Sequence, residues 1–471
     1  MGHSYKIRNI APSVWNMFPE VFLAADSHGS VMAEQALDQV SRLHFSFETG
    51  LMALSCLLIL SILAEKIGLR VGIPGAIFLF FAGLLSHISG FSFERFPLEE
   101  VHAIALSVLL FFSGLSFDRS LLKKSRQFIS SVRLAVLGTG FSIVFWLIYL
   151  RFGIGFFQSS AGYLVGVESS VVSLMTVVIV ASIAVQDWNA FVFVSEKIKD
   201  FKGILVDIFK VETAISASIA VAVAELSILI WLQLNPGFES YNGDELLSQI
   251  FYGICLGSVT GLVLGLMLTI VIRFLVTSNS QLILAALAFV FAGYVVTFVV
   301  VNQGGYLCAL VMGVVTSLAY RSSSTESEIA FLSKSLDSVN MASEAILFFV
   351  VGLGLDAAAF LVHLPIAFYA WIGIVLIRPI SVCFFFRGNN VPLREKILLA
   401  SFSPKGAISM ALVVTAPRML ENTFGLDVSD ALTPGSFNFM ADVVCGVVLL
   451  SMIFKSLYVP ALYKKILSAE K

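Results

Sequence analysis

Thirteen apolar segments, each long enough to cross a bilayer, constrain the fold of this 471-residue chain more than any other feature. A transmembrane helix needs about 20 predominantly apolar residues. The segments lie at 47–64, 74–90, 100–117, 132–150, 161–186, 202–232, 248–275, 281–300, 304–320, 341–361, 364–386, 396–416 and 438–462. Only 13% of the residues are charged, against about 25% in soluble domains. We therefore predict an all-α polytopic membrane protein with 13 transmembrane helices.

The Lys and Arg residues between these segments predict the orientation of the chain. Cytoplasmic loops of membrane proteins carry an excess of both residue types. With the N-terminus outside, twenty of the 29 Lys and Arg residues fall inside, Lys455 among them, and six fall outside. The remaining three, Lys210, Arg378 and Lys405, stay within the membrane. The sequence thus predicts an external N-terminus and an internal C-terminus.

An internal repeat divides the chain into two halves. The third segment ends LLFFSGLSFD at Asp118, and the tenth ends LFFVVGLGLD at Asp356, running in the opposite direction. Inverted repeats of this kind build many membrane transporters, although chance recurrence in a Phe- and Leu-rich chain is an alternative. We predict a six-plus-one-plus-six arrangement. Its parts are an outer N-terminal interfacial segment at 1–46, a first repeat at 47–232, a linker helix at 248–275, a second repeat at 281–462 and a short cytoplasmic tail at 463–471.

Two segments in corresponding positions carry signals of interruption. The twelfth contains SPKG at 403–406, where Pro404 removes a backbone donor and Gly406 tolerates an opened geometry. The fifth carries Gln186 and Asp187 near membrane depth, with no Pro to mark a break. Corresponding broken helices hold the substrate in repeat transporters. We therefore expect two crossing discontinuous helices.

The sixth segment contains Asp207, Lys210 and Glu212 within a membrane-length helix. An ionised side chain at the bilayer centre costs about 2.5 kcal/mol or more, so it usually faces a partner or an ion path. Asp207 and Glu212 are five positions apart, which places them about 140° apart around the helix. Asp207 and Lys210 are three apart and can meet. Glu212 is the candidate ion-path residue, although it could instead bond to hydroxyl groups on neighbouring helices.

Several motifs resemble one family of transporters. SPKGAISMAL is similar to the GLRGAVSLAL-type signature of the monovalent cation/proton antiporter superfamily, in its sodium/proton exchanger branch. AEKIGLRVGIPGAIFLFFAGLL, from Ala64, resembles the second-span region of that family. LFFSGLSFD and FFVVGLGLD resemble its paired LFxxGL elements, and VLIRPISV, with Arg378, is similar to its Arg-bearing eleventh span. The matches run from about residue 57 to 416.

The resemblance also implies roles for charged residues of the sixth span. Relatives read ESxxND there, where Glu pairs with the Arg of the eleventh span and the final Asp exchanges a proton for a cation. Aligned without gaps, Asp207 takes the Glu position, Val211 the Asn position and Glu212 the Asp position. The resemblance thus implies that Glu212 is the transport carboxylate and that Asp207 pairs with Arg378. Lys210 competes for Asp207.

In the fifth span the family's TDP is replaced by Gln186-Asp187-Trp188, which keeps only the Asp. The resemblance places Asp187 beside Glu212 as a second ligand of the transported sodium or potassium ion. The alternative is that Asp187 is a solvated loop residue, since Trp188 suits an interface. Lys405 stands where relatives carry Arg, and at a helix break it more often offsets helix dipoles than binds substrate. Residues expected at the breaks or along a polar path are Gln186, Thr213, Ser216, Ser403 and Lys405.

These expectations together describe a secondary active antiporter. A buried Glu212 would hold either a proton or a monovalent cation, sodium in preference to potassium, and a rocking repeat would carry it across the membrane. One such carboxylate predicts electroneutral exchange. A non-transporting sensor on the same fold and a sodium-coupled organic anion symporter are the alternatives. We expect no enzyme activity, cofactor or nucleic-acid partner. The resemblance implies a homodimer, and we expect a role in pH homeostasis. The size of the chain favours a bacterial inner membrane, with a thylakoid, plastid or eukaryotic membrane as the alternatives.

Overall fold

Helices fill the part of the chain that the computed structural model describes, and no strand occurs there. Those residues are 55–88, 98–117, 125–161, 169–198, 203–234, 243–301, 305–321, 326–386, 393–424 and 434–468. The predicted N-terminal segment at 1–46 lies outside them. From residue 57 onward, the described residues belong to one compact unit. Helices occur at each of the thirteen predicted positions.

The first half contributes six helices, the fourth and fifth of which are irregular. Residues 55–71 form α1. They are followed by α2 (Ala76–Ile88), α3 (Leu98–Leu115), α4 (Ser125–Arg133, a π-helical turn at Leu134–Gly138, then Thr139–Ala161), α5a (Ser169–Ala184), α5b (Trp188–Glu196) and α6 (Gly203–Leu234). The helix axis bends by 42° between α5a and α5b. The weakly signalled break in the fifth segment is therefore present.

The linker position and the second half contribute seven more. They are α7 (Gly243–Phe274), α8 (Asn279–Val301), α9 (Gly305–Arg321), α10 (Glu326–Leu353), α11 (Ala357–Phe385), α12a (Leu393–Ser401), α12b (Ala407–Phe424) and α13 (Pro434–Ser468). The predicted tenth segment, 341–361, extends past the end of α10 into the first residues of α11. The side chain of Asp356 caps α11 by accepting a hydrogen bond from the Ala358 N–H at 2.8 Å, so the boundary between the two helices lies at 354–356.

Length and apolar composition qualify six described helices as membrane spans, or seven if α5a and α5b count as one. Three shorter apolar helices add to these. The count of thirteen crossings stays a prediction. Burial distinguishes central from peripheral helices. In an apolar 18-residue stretch of each helix, 67% of the residues are buried in α13, against 22% in α7. The peripheral surface of α7 presents large apolar side chains that suit contact with lipid.

Two helix pairs pack through glycines in an equivalent way. Gly114 of α3 lies against the backbone of α9 at Gly313, and Gly352 of α10 lies against the backbone of α2 near Gly83. The repeat described above matches Gly114 with Gly352. An inverted repeat that superposes α3 on α10 also superposes α9 on α2, which is the relation seen between the two pairs.

A second equivalent pair joins α4 to α11. The rings of Tyr149 and Tyr369 stack with centroids 4.3 Å apart, and each hydroxyl donates to the backbone carbonyl of the other residue at 3.1 Å. Four residues further along each helix, Gly153 and Gly373 leave room for the opposite ring. Since α4 and α11 are the fourth helices of the two halves, this reciprocal contact is compatible with the predicted repeat, which stays a prediction.

Replacing Gly313 by Ala is expected to destabilise the protein. A Cβ at this position would overlap with the backbone carbonyl of Phe111, so α3 and α9 would have to separate. Overpacking of this kind costs about 1–3 kcal/mol. The measurement is the apparent melting temperature in detergent. Gly155→Ala is the matched control, because no atom lies within 4 Å of the added Cβ; an equal melting temperature for the two variants would contradict the packing argument.

Candidate functional site

The two broken helices meet at their breaks. The break at 185–187 and the break at 402–406 are joined by backbone and side-chain hydrogen bonds. The Asp187 N–H donates to the Pro404 carbonyl at 3.1 Å, and the Ser403 hydroxyl donates to Oε1 of Gln186 at 2.9 Å. All four residues are buried. Backbone groups released by each break are therefore partly satisfied by the other.

The local sequence explains why the second break can lie so close to the first. Pro404 cannot donate a helical hydrogen bond, so the helix is interrupted there. A side chain at Gly406 would overlap with the carboxylate of Asp187, so a residue without a Cβ is required at this point. Gly406 thus allows the Asp187 carboxylate to lie against the backbone at the start of α12b.

Asp187 lies at the N-terminal ends of two half-helices. It is the N-cap of α5b and accepts a hydrogen bond from the Ala190 N–H at 3.1 Å. Its carboxylate also contacts Gly406, the residue before α12b. Helix N-termini carry partial positive charge and attract anions. With an exposed fraction of 2%, Asp187 is not a solvated loop residue, and that alternative is wrong.

Two buried lysines lie at the opposite ends of the breaks. The Lys405 ammonium group donates to the Val185 carbonyl at 3.0 Å, at the C-terminal end of α5a. The Lys455 ammonium group donates to the Ser403 carbonyl at 2.7 Å, beyond the C-terminal end of α12a. Positive charge is favourable at helix C-termini. Both lysines therefore lie where a positive charge would offset the helix dipoles, which is the alternative role considered above for Lys405.

Glu212 forms a buried ion pair with Arg378. Both terminal nitrogens of the guanidinium group donate to the carboxylate, NH1 to Oε1 and NH2 to Oε2, the latter at 2.7 Å. The two residues are 1% and 6% exposed. The prediction that Arg378 pairs with Asp207 is therefore corrected: the partner of Arg378 is Glu212. Asp207 is half-buried, five residues earlier on α6.

This pairing changes the register of the sixth-span motif. If Glu212 takes the Glu position of ESxxND, the Ser position falls on Thr213, the Asn position on Ser216 and the Asp position on Ala217. Ser216 lies at the crossing, since its hydroxyl accepts a hydrogen bond from the Gln186 N–H at 3.1 Å. Thr213 is buried, and its hydroxyl bonds to the Lys210 carbonyl of its own helix. The sixth helix then has no carboxylate at the exchanging position of the motif.

Three residues near the crossing escaped the sequence analysis. Lys455 was counted with the inner loops, yet it is only 2% exposed. Asn189 follows Asp187 by two residues, and its side-chain amide donates to Oε2 of Glu344 at 3.2 Å. The Asn189–Glu344 contact joins α5b to α10. Glu344 was detectable in principle, because it is an acid within the predicted tenth segment.

A pair of broken helices that cross at a buried carboxylate, with a cation at each half-helix C-terminus, has the architecture of an ion site in a secondary transporter. The chain belongs to the sodium/hydrogen exchanger family, whose transmembrane region matches residues 52–465. This confirms the resemblance carried by SPKGAISMAL. Proteins of that family are transporters, not enzymes, and so is this chain.

Solved structures of one archaeal protein share the fold. The sodium proton antiporter MjNhaP1 from Methanocaldococcus jannaschii, in a structure at pH 8, has a TM-score of 0.64 at 20% identity and covers 90% of this chain and 99% of its own. An electron-microscopy structure of the same antiporter has a TM-score of 0.66 at 18% identity, with coverages of 89% and 98%. No curated protein matches the chain. At these identities the likeness concerns the fold.

Proposed function

We propose that this protein exchanges a monovalent cation, sodium in preference to potassium, for protons by alternating access. Membership of the sodium/hydrogen exchanger family supports the substrates. The observation that carries the mechanism is the position of Asp187 at the crossing of the two breaks, buried and without a Lys or Arg within salt-bridge distance among the described residues.

Asp187 replaces Glu212 as the proposed exchanging carboxylate. The charge of Glu212 is already compensated by Arg378. Asp187 has no such full charge beside it, since the helix N-termini supply only partial charges, so a proton or a monovalent cation can complete its neutralisation. These two occupants exclude each other, because both neutralise the same oxygens. If the protein converts between its inward-open and outward-open states only when Asp187 is neutralised, cation transport and proton transport are coupled.

The stoichiometry follows from the number of exchanging groups. With Asp187 as the single exchanging carboxylate, each monovalent cation is exchanged for one proton. Exchange is then electroneutral, as predicted from the sequence. The proposed orientation keeps the N-terminus outside and the C-terminus inside. A homodimer and a role in pH homeostasis remain part of the proposal on family grounds, and a bacterial inner membrane remains part of it on the size of the chain.

The test is cation-driven proton movement in proteoliposomes that contain a pH-sensitive dye. We expect sodium added outside acidic vesicles to raise the internal pH, with potassium and lithium compared under the same gradient. Valinomycin with potassium clamps the membrane potential and separates electroneutral from electrogenic exchange. Failure of every alkali cation would contradict antiport and favour a sensor, and uptake of a labelled organic anion would favour a symporter.

A further inference from the structure

A cavity of about 380 Å³ leads toward the crossing from one side. It lies between α1, α5b, α10 and the start of α2. The described lining contains four acidic residues, Glu65, Glu196, Asp337 and Glu344, and no basic one. Trp188, Asn189 and Ala190, which follow Asp187, also line it. The cavity therefore ends at the helix that Asp187 caps.

The acidic side chains in and near this cavity differ in burial. Glu196 and Asp337 are exposed, Glu65 and Glu344 are half-buried, and Asp187, which precedes the lining residue Trp188, is buried. Walls of low dielectric around charges of one sign raise the local concentration of the opposite ion. This acidic lining thus attracts cations, and within it Glu344 is the half-buried acid that contacts Asn189, two residues after Asp187.

Amide side chains hold Glu344 next to the crossing. The Asn189 amide nitrogen donates to Oε2 of Glu344 at 3.2 Å, and its oxygen accepts a hydrogen bond from Nδ2 of Asn340 at 2.7 Å. Asn189 lies two residues after Asp187, so the Glu344 carboxylate contacts the half-helix that Asp187 caps. Carboxylate and amide oxygens can replace the water shell of a small cation. Glu344, Asn189 and Asn340 together offer such oxygens within the cavity.

We propose that Glu344 binds the transported cation within the cavity, beside the half-helix that Asp187 caps, with Asn189 and Asn340 positioning its carboxylate. This inference rests on the proposed function, since it assigns a second contact for the same cation. The role is confined to the side of the membrane on which the cavity opens. According to the predicted orientation, that side is the inside, because the inner end of α1, the end of α5b and the start of α10 all lie there.

The proposal is tested with Glu344→Gln. The amide can still accept the Asn189 hydrogen bond, but it carries no charge. We expect the apparent KM for the cation presented to the cavity side to rise about tenfold, with the maximal rate changed by less than twofold and the KM on the opposite side unchanged; a tenfold change corresponds to 1.4 kcal/mol. Vesicles of both orientations give the two KM values.

Asp337→Asn is the matched control, because it removes an equal charge from the exposed mouth of the same cavity. Equal KM changes in the two variants would mean that Glu344 acts only through the overall negative charge of the cavity, and they would overturn the proposal. Loss of all exchange in Glu344→Gln, as predicted for Asp187→Asn, would overturn it too, since Glu344 would then exchange the proton itself. The absence of exchange in the wild type would instead overturn the proposed function.

Cation binding can also be measured in variants that transport poorly, through the effect of the cation on the melting temperature. A cation that binds the folded state raises its apparent stability by mass action. We expect sodium to raise the melting temperature of the wild type, and to do so in Glu344→Gln only at about tenfold higher concentration. Identical sodium dependence in the wild type and Glu344→Gln would contradict a contact between Glu344 and the cation.

Discussion

Replacing Asp187 by Asn is expected to reduce cation-driven proton movement to the level of liposomes without protein. The amide has nearly the same shape but can neither release a proton nor neutralise a bound cation. Asn is as good an N-cap as Asp, so the hydrogen bond from the Ala190 N–H and the start of α5b are kept. The loss would therefore be a loss of chemistry and not of fold. Size-exclusion behaviour and melting temperature of the variant check this.

Glu196→Gln is the control for Asp187→Asn, because Glu196 is an exposed acid on the same half-helix. It should retain more than half of the wild-type rate. The competition at Asp187 also has a pH signature. Lowering the pH increases the protonated fraction of the carboxylate, so the apparent KM for the cation should rise by up to tenfold per pH unit. Asp187→Asn retaining more than a tenth of the wild-type rate would exclude Asp187 as the exchanging group.

The helices and the second break were predictable because they depend on local features of the chain. Apolar length identifies a membrane helix, and Pro404 followed by Gly406 identifies an interruption. The first break lacks such a signal. It is stabilised by contacts from elsewhere, among them the Lys405 ammonium group on the Val185 carbonyl and the Pro404 carbonyl on the Asp187 N–H. A contact between residues more than 200 positions apart leaves no local pattern.

The partner of Arg378 was mispredicted for a related reason. Asp207 and Glu212 are both acids on α6, and an ungapped motif alignment fits either to the position that pairs with Arg. The choice depends on which of two faces, about 140° apart, is turned toward α11. That rotation is set by packing, which places Glu212 against Arg378. The sequence therefore identified Arg378 correctly as a member of the ion pair. It assigned the partner carboxylate to Asp207, about one and a half helical turns from Glu212.

Lys455 shows how the length of a helix changes the meaning of a charge. Lys455 was counted with the inner Lys and Arg residues, although the apolar segment at 438–462 contains it. In the structure α13 extends to Ser468, with Lys465 in its last turn, so Lys455 lies well within the helix. A buried lysine at that depth needs acceptors, and the Ser403 carbonyl at the second break supplies one.

Breaking the Glu212–Arg378 pair from one side is expected to destabilise the protein strongly. Removing one member of a buried ion pair leaves the other charge uncompensated, which costs about 3–5 kcal/mol. Glu212→Gln alone and Arg378→Gln alone should each lower the apparent melting temperature markedly. The double variant should lie closer to the wild type than either single variant, because no net charge remains. Thermal unfolding of all four proteins in one detergent measures this coupling.

Transport by the double variant then separates structural from exchanging carboxylates. If Glu212 only balances Arg378, the neutral pair should still support proton-coupled cation movement, since Asp187 and the two dipole-balancing lysines are unchanged. If Glu212 exchanges the proton, the double variant is stable but inactive, and Asp187→Asn keeps its activity. The two results are mutually exclusive because each makes a different acid the one whose charge alternates between a proton and a cation. The stability of the double variant ensures that inactivity cannot be ascribed to misfolding.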